Sequence, residues 1–420
     1  MSTFKNVGQS FRRKDGRDKL TGKALYPQDI YLDGMIFGHT IRSTEPHANI
    51  KIDITEAEAL EGVYKVLTYK DVPHNKHGVL FKDHQVFAVD RVRRIGDPIA
   101  FVVAETAKLA EEAAALVKVD YEVIPAVFDP RQAMKDDAPV VHGDSNILYH
   151  YKCRRGDIDA AFEKCDVIVE DSYETSMVDH VFLQLESGLA YEEDGKVFVI
   201  ASSQYPHFDR LEVAEAIEKP EDEVVILNPA VGGAFGGRED ITMQIHLAMA
   251  TMATGKPVKV TYQREESFYA HSKRHPLFMK FKTGATKEGK LLAMEVDIVG
   301  DTGAYASWAI NVLRKAGVHC TGPYEIENVK VDAYAVYTNN PYAGAMRGFG
   351  ATQTPVGTEQ QMDMIAEACG IHPIDVRLMN GFKKNSITAN GQKLVDSVPL
   401  DICIKEVEKR LYPERGGNNA

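Results

Sequence analysis

Glu223-Val-Val-Ile-Leu-Asn228, running into Pro229-Ala-Val-Gly-Gly-Ala-Phe-Gly-Gly-Arg238, is the stretch on which the fold turns. Its β-branched apolar start reads as a short strand. The residues after the glycines, about 239–254, read as a helix closed by Gly255, with Pro257 just beyond. Strand, glycine loop and helix in that order suit a mixed α/β domain. Four glycines around Phe235 let the backbone approach a ligand closely, and N–H groups at a helix N-terminus favour anionic or strongly accepting atoms. A tight turn with no ligand would use the same residues. No G-K-[S/T] follows, which excludes a phosphate loop, and Ala234 breaks the G-x-G-x-x-G spacing of dinucleotide folds.

Upstream, Leu189–Ile200 reads as two strands about an Asp194-Gly195 turn, leading into Ala201-Ser-Ser-Gln204 and a polar helix at about 208–219. Further back, 35–41 and the apolar run 98–104 are strands. Thr106 is the N-cap of an alanine-rich helix over 107–117, and 117–123 alternates as a strand. Downstream, Pro355 opens a helix that ends at Cys369 before Gly370. The expected organisation is an arm over 1–19, an α/β domain over 20–123 and a proline-containing linker over 124–150. A larger domain over 151–410 and a polar tail over 411–420 follow.

At 420 residues there is room for two or three domains. A net charge of −12 argues against a nucleic-acid binder or a basic membrane-surface protein. There is no run of 18 apolar residues and no apolar core near the start, so a cytoplasmic protein is expected. The five cysteines, Cys153, Cys165, Cys320, Cys369 and Cys403, include no C-x-x-C or iron–sulfur ligand run and read as free, buried thiols. His271 and His275 are four residues apart, but the Glu of H-E-x-x-H is missing and Pro276 interrupts any helix. They are read as a surface feature.

A second glycine-rich turn, Asn339-Asn-Pro-Tyr-Ala-Gly-Ala-Met-Arg347-Gly-Phe349-Gly-Ala-Thr-Gln353, places an arginine and an aromatic among glycines. A guanidinium so presented can reach oxo or phosphate oxygens. The pair G-G-A-F-G-G-R-E and A-M-R-G-F-G-A-T-Q resembles the molybdopterin-binding subunit of the xanthine dehydrogenase/aldehyde oxidase family. Lys19-Leu-Thr-Gly-Lys-Ala-Leu-Tyr26 and His372-Pro-Ile-Asp-Val-Arg-Leu-Met-Asn380 extend the resemblance over roughly 12–410. It implies a mixed α/β chain, an N-terminal α/β hammerhead domain followed by the first molybdenum-cofactor-binding domain.

By that resemblance Gln204 matches a glutamine bonded to the apical oxo ligand of molybdenum, Phe235 and Gly236 the loop lining the metal, and Arg347 an arginine holding the cofactor. Glu239, Phe349 and, more loosely, Lys315 match substrate contacts. Glu239 as a first-turn acid and Phe349 as a core residue are the alternatives. Carbon monoxide-oxidising relatives carry a cysteine where this chain has Gly344. No residue here is expected to ligate the metal directly, and none is expected to be the catalytic base. Family members are usually far longer and end in a second cofactor domain whose G-E-P-type segment supplies a catalytic glutamate. That motif does not follow Asn380 here.

The resemblance therefore implies a split molybdenum subunit, completed by a second molybdopterin subunit, as in the nicotinate-hydroxylating branch of anaerobic bacteria, to which the chain is most similar. The implied cofactor is a molybdopterin cytosine dinucleotide with a sulfur or selenium terminal ligand. FAD and [2Fe-2S] clusters would sit on separate FAD and iron–sulfur subunits. The implied reaction is hydroxylation of an N-heteroaromatic, nicotinate to 6-hydroxynicotinate, with water-derived oxygen and electrons passed to NADP. Purine or aldehyde oxidation, aromatic acyl-CoA reduction and a metal-free scaffold are the alternatives.

Overall fold

The computed structural model describes residues 4–416; residues 1–3 and 417–420, the ends of the expected arm and tail, lie outside it. Seven strands form the largest sheet, in the order Val224–Leu227, Lys196–Ala201, Ser187–Glu193, Val258–Thr261, Ile36–Arg42, Pro98–Ala104, Val63–Leu67. The sheet joins the N-terminal block to the later chain: Ile36 and Phe37 pair in parallel with Val258 and Lys259. Pro98–Ala104 explains the join. It is apolar on both faces, so each face needs cover. Ala100, Val102 and Ala104 pack on Ala110 and Ala113 of the helix Ala107–Ala114. Phe101 and Val103 pack in one cluster with Leu247, Val258 and Tyr262 from the later chain.

A five-stranded sheet follows, in the order Ile147–Arg155, Asn328–Tyr337, Leu291–Gly303, Leu277–Ala285, Val167–Glu174. Helices Ala309–His319 and Pro355–Cys369 bury Val312, Leu313, Met362 and Ile365 against its Phe281, Met294 and Val331. A small third sheet pairs Ala48–Asp53 with Arg91–Val92 and Lys118–Val123. Among the described residues no helix is long and apolar enough to cross a membrane.

Local signals act as read. Thr106 accepts from Leu109 N at 3.1 Å. Asp194 and Gly195 take left-handed φ of 49° and 78°, as a two-residue hairpin turn requires. The helix Pro355–Cys369 stops at a left-handed Gly370. Elsewhere the structure corrects the reading. The alanine-rich helix ends at Ala114, where Leu116 and Val117 turn in to pack with it. The polar helix covers Pro206–Ala216. The helix expected from 239 starts only at Gln244, whose Oε1 accepts from Thr242 N and Met243 N at 2.9 Å each. The glycine loop is thus separated from that helix by turns and owes its geometry to other anchors. Strand Ile147–Arg155 begins inside the stretch read as linker, and helices Leu400–Leu411 and Pro413–Gly416 occupy the polar end. Of the thiols only Cys153 and Cys320 are buried; Cys403 is exposed, and all five are free.

Candidate functional site

Four chain segments deliver the site. Strand Lys196–Ala201 and the edge strand Val224–Leu227 run out to Gln204 and to the loop 232–239, Asn328–Tyr337 leads to the turn 343–350, and helix Ala309–His319 carries Lys315. Both turns hold a phenylalanine in the left-handed region beside glycines: Phe235 (φ 55°) next to Gly236 (106°), and Phe349 (55°) between Gly348 (98°) and Gly350 (99°). A bulky residue so placed costs roughly 1–3 kcal/mol, a strain that concentrates at functional sites. The turns touch directly. Arg347 N donates to Phe235 O at 2.8 Å. A Cβ on Gly236 would fall 2.5 Å from Ala345 O, so only glycine permits this approach.

Gln204 locks the first turn: its Oε1 accepts from Gly236 N at 2.7 Å, and its backbone N donates to Arg238 O at 2.9 Å. The buried Arg238 donates to Gly233 O (3.0 Å) and Gln184 O (2.7 Å), with its guanidinium 4.2 Å over the Phe182 ring. Burial lowers its pKa to about 10, so it stays charged at neutral pH.

Gln204, Phe235, Gly236, Glu239, Lys315, Arg347 and Phe349 all line one open cleft of about 710 Å³. Every site residue expected from the sequence is therefore in one place, although Gln204 and Arg347 are over a hundred residues apart in the chain. The Lys315 ammonium stands 5.9 Å over the Phe349 ring, and Trp308 packs edge-on to the same ring at 6.0 Å. Glu239 Oε1 lies 3.5 Å from Gln204 Nε2. Burial, then the neighbouring Asp240, pushes the Glu239 carboxyl up to about 7. Asp240 is itself buried and accepts from Ser307 Oγ at 2.8 Å; burial raises it to about 6. Gly344 is sealed from side chains: a Cβ there would meet Asp240 Oδ2 and Ser307 Oγ at 2.7 Å.

Sequence reasoning passed over Tyr205, Trp308 and Arg314, which complete the wall. Trp308 is the only tryptophan in the chain, and Tyr205 and Arg314 directly adjoin Gln204 and Lys315. That adjacency was the available signal. His271 and His275 are not a surface feature; each is 1 % exposed. The chain folds them inward because the segment after helix Arg264–Ala270 bridges to the arginine turn, through Lys273 N to Tyr342 O (3.0 Å) and Gly344 N to Lys273 O (2.9 Å).

The cleft suits a large ligand rich in acceptor atoms. Backbone N–H groups of Phe235 and Gly348 have no partner among the described residues, and the exposed Arg347 guanidinium makes no ion pair or hydrogen bond there. Residues 141–381 match the molybdopterin cofactor-binding domain, and residues 21–125 the aldehyde oxidase and xanthine dehydrogenase a/b hammerhead domain.

The chain belongs to the molybdopterin-binding family of aldehyde oxidases and xanthine dehydrogenases. Hammerhead followed by cofactor domain is the expected order. The chain is 42 % identical over 416 residues to the nicotinate dehydrogenase large molybdopterin subunit of Eubacterium barkeri, covering 98 % of both chains. It is 38 % identical to a probable xanthine dehydrogenase subunit of Bacillus subtilis (strain 168), over 96 % of this chain and 56 % of that one. The aldehyde oxidoreductase structure from Desulfovibrio gigas superposes with a TM-score of 0.92 at 30 % identity, over 98 % of this chain and 48 % of that one. The chain thus spans about half the length of the latter two relatives.

Proposed function

We propose that this chain is the larger part of a split molybdenum subunit in a hydroxylase acting on an N-heteroaromatic carboxylate, converting nicotinate to 6-hydroxynicotinate with oxygen from water. The observation that carries the reading is the convergence of four cofactor-type and three substrate-type residues in one cleft. The 42 % identity to the Eubacterium barkeri nicotinate dehydrogenase subunit supports nicotinate in particular.

Gln204, Phe235, Gly236 and Arg347 would hold a molybdopterin cytosine dinucleotide carrying molybdenum with a sulfur or selenium ligand. When bound, that group supplies a metal centre that acidifies water and takes up the electron pair of the substrate. Gln204 is oriented for its part: Gly236 N occupies Oε1, so Nε2 is left as the donor. Arg347 offers a planar, permanently charged fork to acceptor oxygens. A flat ring would pack on Phe349 and Trp308, with Lys315 near enough to pair with an exocyclic carboxylate. Glu239, titrating near pH 7, can donate to an acceptor on the substrate when protonated. The general-base glutamate would come from a second polypeptide, with FAD and [2Fe-2S] clusters on further subunits passing electrons to NADP.

One observation favours a second reading. The protonatable Glu239 also suits the polar edge of a purine, and one relative is a probable xanthine dehydrogenase component. The deciding experiment isolates the complex with its co-purifying chains, measures molybdenum and selenium, and compares turnover of nicotinate, xanthine and an aldehyde in labelled water. Molybdenum with nicotinate turnover and label in the product is expected, and the chain alone should be inactive. Turnover of xanthine but not nicotinate would replace the first reading with the second. A complex without molybdenum would leave a scaffold.

A further inference from the structure

Behind the cleft, segments 179–186 and 271–275 meet in a polar cluster closed off from solvent: His271 is 1 % exposed, Glu186 3 %, Lys273 5 % and His180 6 %. His180 Nε2 lies 2.8 Å from Ala345 O, and His271 Nδ1 lies 2.9 Å from Ser272 O. A carbonyl oxygen only accepts, so each ring donates through that nitrogen and the tautomer follows. The other nitrogens, Nδ1 of His180 and Nε2 of His271, then carry lone pairs. Burial keeps both rings neutral.

One ring nitrogen from each of His180 and His271 and an Asp179 carboxylate oxygen lie within 4.8 Å of one another. His271 Nε2 stands 3.4 Å from Asp179 Oδ2 and 3.5 Å from Glu186 Oε1. Neither free nitrogen has a hydrogen-bond partner, nor does Glu186 Oε1. Acceptors facing acceptors in a dry core repel unless something positive sits between them. A hydrogen bond would draw such pairs to about 2.7–3.0 Å. Ligands bonded at about 2.1 Å to a tetrahedral ion stand about 3.4 Å apart, which is the spacing of the Asp179 and Glu186 oxygens from His271 Nε2. An imidazole whose far nitrogen donates to a backbone carbonyl is also how metal-binding histidines are oriented.

We propose that Asp179, His180 and His271 bind a divalent cation of the zinc class, with Glu186 reaching the fourth position. Two imidazoles and carboxylate oxygens are a donor set that zinc accepts. Lys273 supports the ligands: its Nζ donates to His271 O at 2.6 Å and forms an ion pair with Asp179 Oδ2 at 3.0 Å. The nearby Arg238 directs its donors to Gly233 O and Gln184 O instead of a carboxylate. The role is structural, since His180 grips Ala345 two residues before Arg347. The inference is independent of the substrate reading.

The test is elemental analysis of the complex purified without chelator, reading zinc separately from molybdenum and iron. About one zinc per copy of this chain, retained on dialysis and at least about fivefold lower in His271→Asn, is expected. Asp179→Asn serves where the first variant does not fold, with the same expected loss. Less than about a tenth of a zinc per chain, with no rise in Tm when zinc chloride is added after chelation, would overturn the site and leave a proton on Glu186 as the bridge. Zinc that persists in both variants would overturn it too.

Discussion

The turns 232–239 and 343–350 share a left-handed phenylalanine beside glycines but are anchored differently. Side chains hold the first: Gln184 Oε1 accepts from Gly232 N at 2.6 Å, Gln204 Oε1 from Gly236 N, and Arg238 bonds Gly233 O. Backbone carries most of the second, through Ala343 N to Thr302 O, Gly344 N to Lys273 O and Arg347 N to Phe235 O, with two side-chain ties, His180 Nε2 to Ala345 O and the Arg274 guanidinium to Arg347 O, at 2.8 Å each. Phe235 is 48 % exposed, whereas Phe349 packs against the core under the five-stranded sheet. A turn held by side chains can be undone by truncating one of them. A turn held by backbone resists truncation and is sensitive to added volume.

The largest effect should come from adding volume where the turns meet. Gly236→Val places a β-branched residue at φ 106° with its Cβ 2.5 Å from Ala345 O, so the turns must part. A cost of about 3 kcal/mol or more and loss of bound molybdenum are expected, read by denaturant unfolding and metal analysis. Unchanged metal content would mean that the contact between the turns is incidental.

Next is a matched pair. Arg238→Met leaves Gly233 O and Gln184 O without their donor and should lower stability by about 2–3 kcal/mol. Arg347→Ala, on the backbone-held turn, should stay within about 0.5 kcal/mol while reducing molybdenum content. Equal stability losses in the two variants would erase the contrast.

Lys315→Met tests the wall above Phe349. KM for nicotinate should rise about tenfold, equivalent to about 1.4 kcal/mol, with little change for a neutral heterocycle. A uniform change across both substrates would remove the carboxylate contact.

The smallest effect concerns Glu239. Its raised pKa means the carboxyl is largely protonated below pH 7 and ionised above it. Ionisation turns a donor into a charge that repels an anionic substrate, so KM for nicotinate should climb a few-fold as pH passes upward through about 7. Glu239→Gln should flatten that climb, and an unaltered pH profile would exclude the residue from substrate binding.

Much of the fold was legible because its signals are local. The Asp194-Gly195 turn, the Thr106 cap and the Pro355–Cys369 helix with its glycine stop each depend on a few adjacent residues. The convergence of Gln204, Phe235, Glu239, Lys315 and Arg347 was legible only through family resemblance, since no spacing rule links segments so far apart. The late start of the helix at Gln244 was not legible, because Gln244 Oε1 ties the N–H groups of Thr242 and Met243 into the preceding turn while Glu239 lines the cleft and Asp240 bonds Ser307. The burial of His271 and His275 was hidden for a related reason: it depends on distant segments packing over them, which no neighbouring residue in the sequence signals.

By itself, the sequence determined which residues could take left-handed φ, where the helix capped by Thr106 begins and the helix closed by Gly370 stops, and which strand must be covered on both faces. Those outcomes follow from Cβ sterics, capping hydrogen bonds and side-chain alternation within a few residues. Only the tertiary structure decided that one sheet would join the N-terminal block to the later chain, that two glycine turns would close on each other, and that His271, read as exposed, would face carboxylates in the interior. These depend on which apolar surfaces and unpaired polar groups find each other across the folded chain, and no local pattern encodes that pairing.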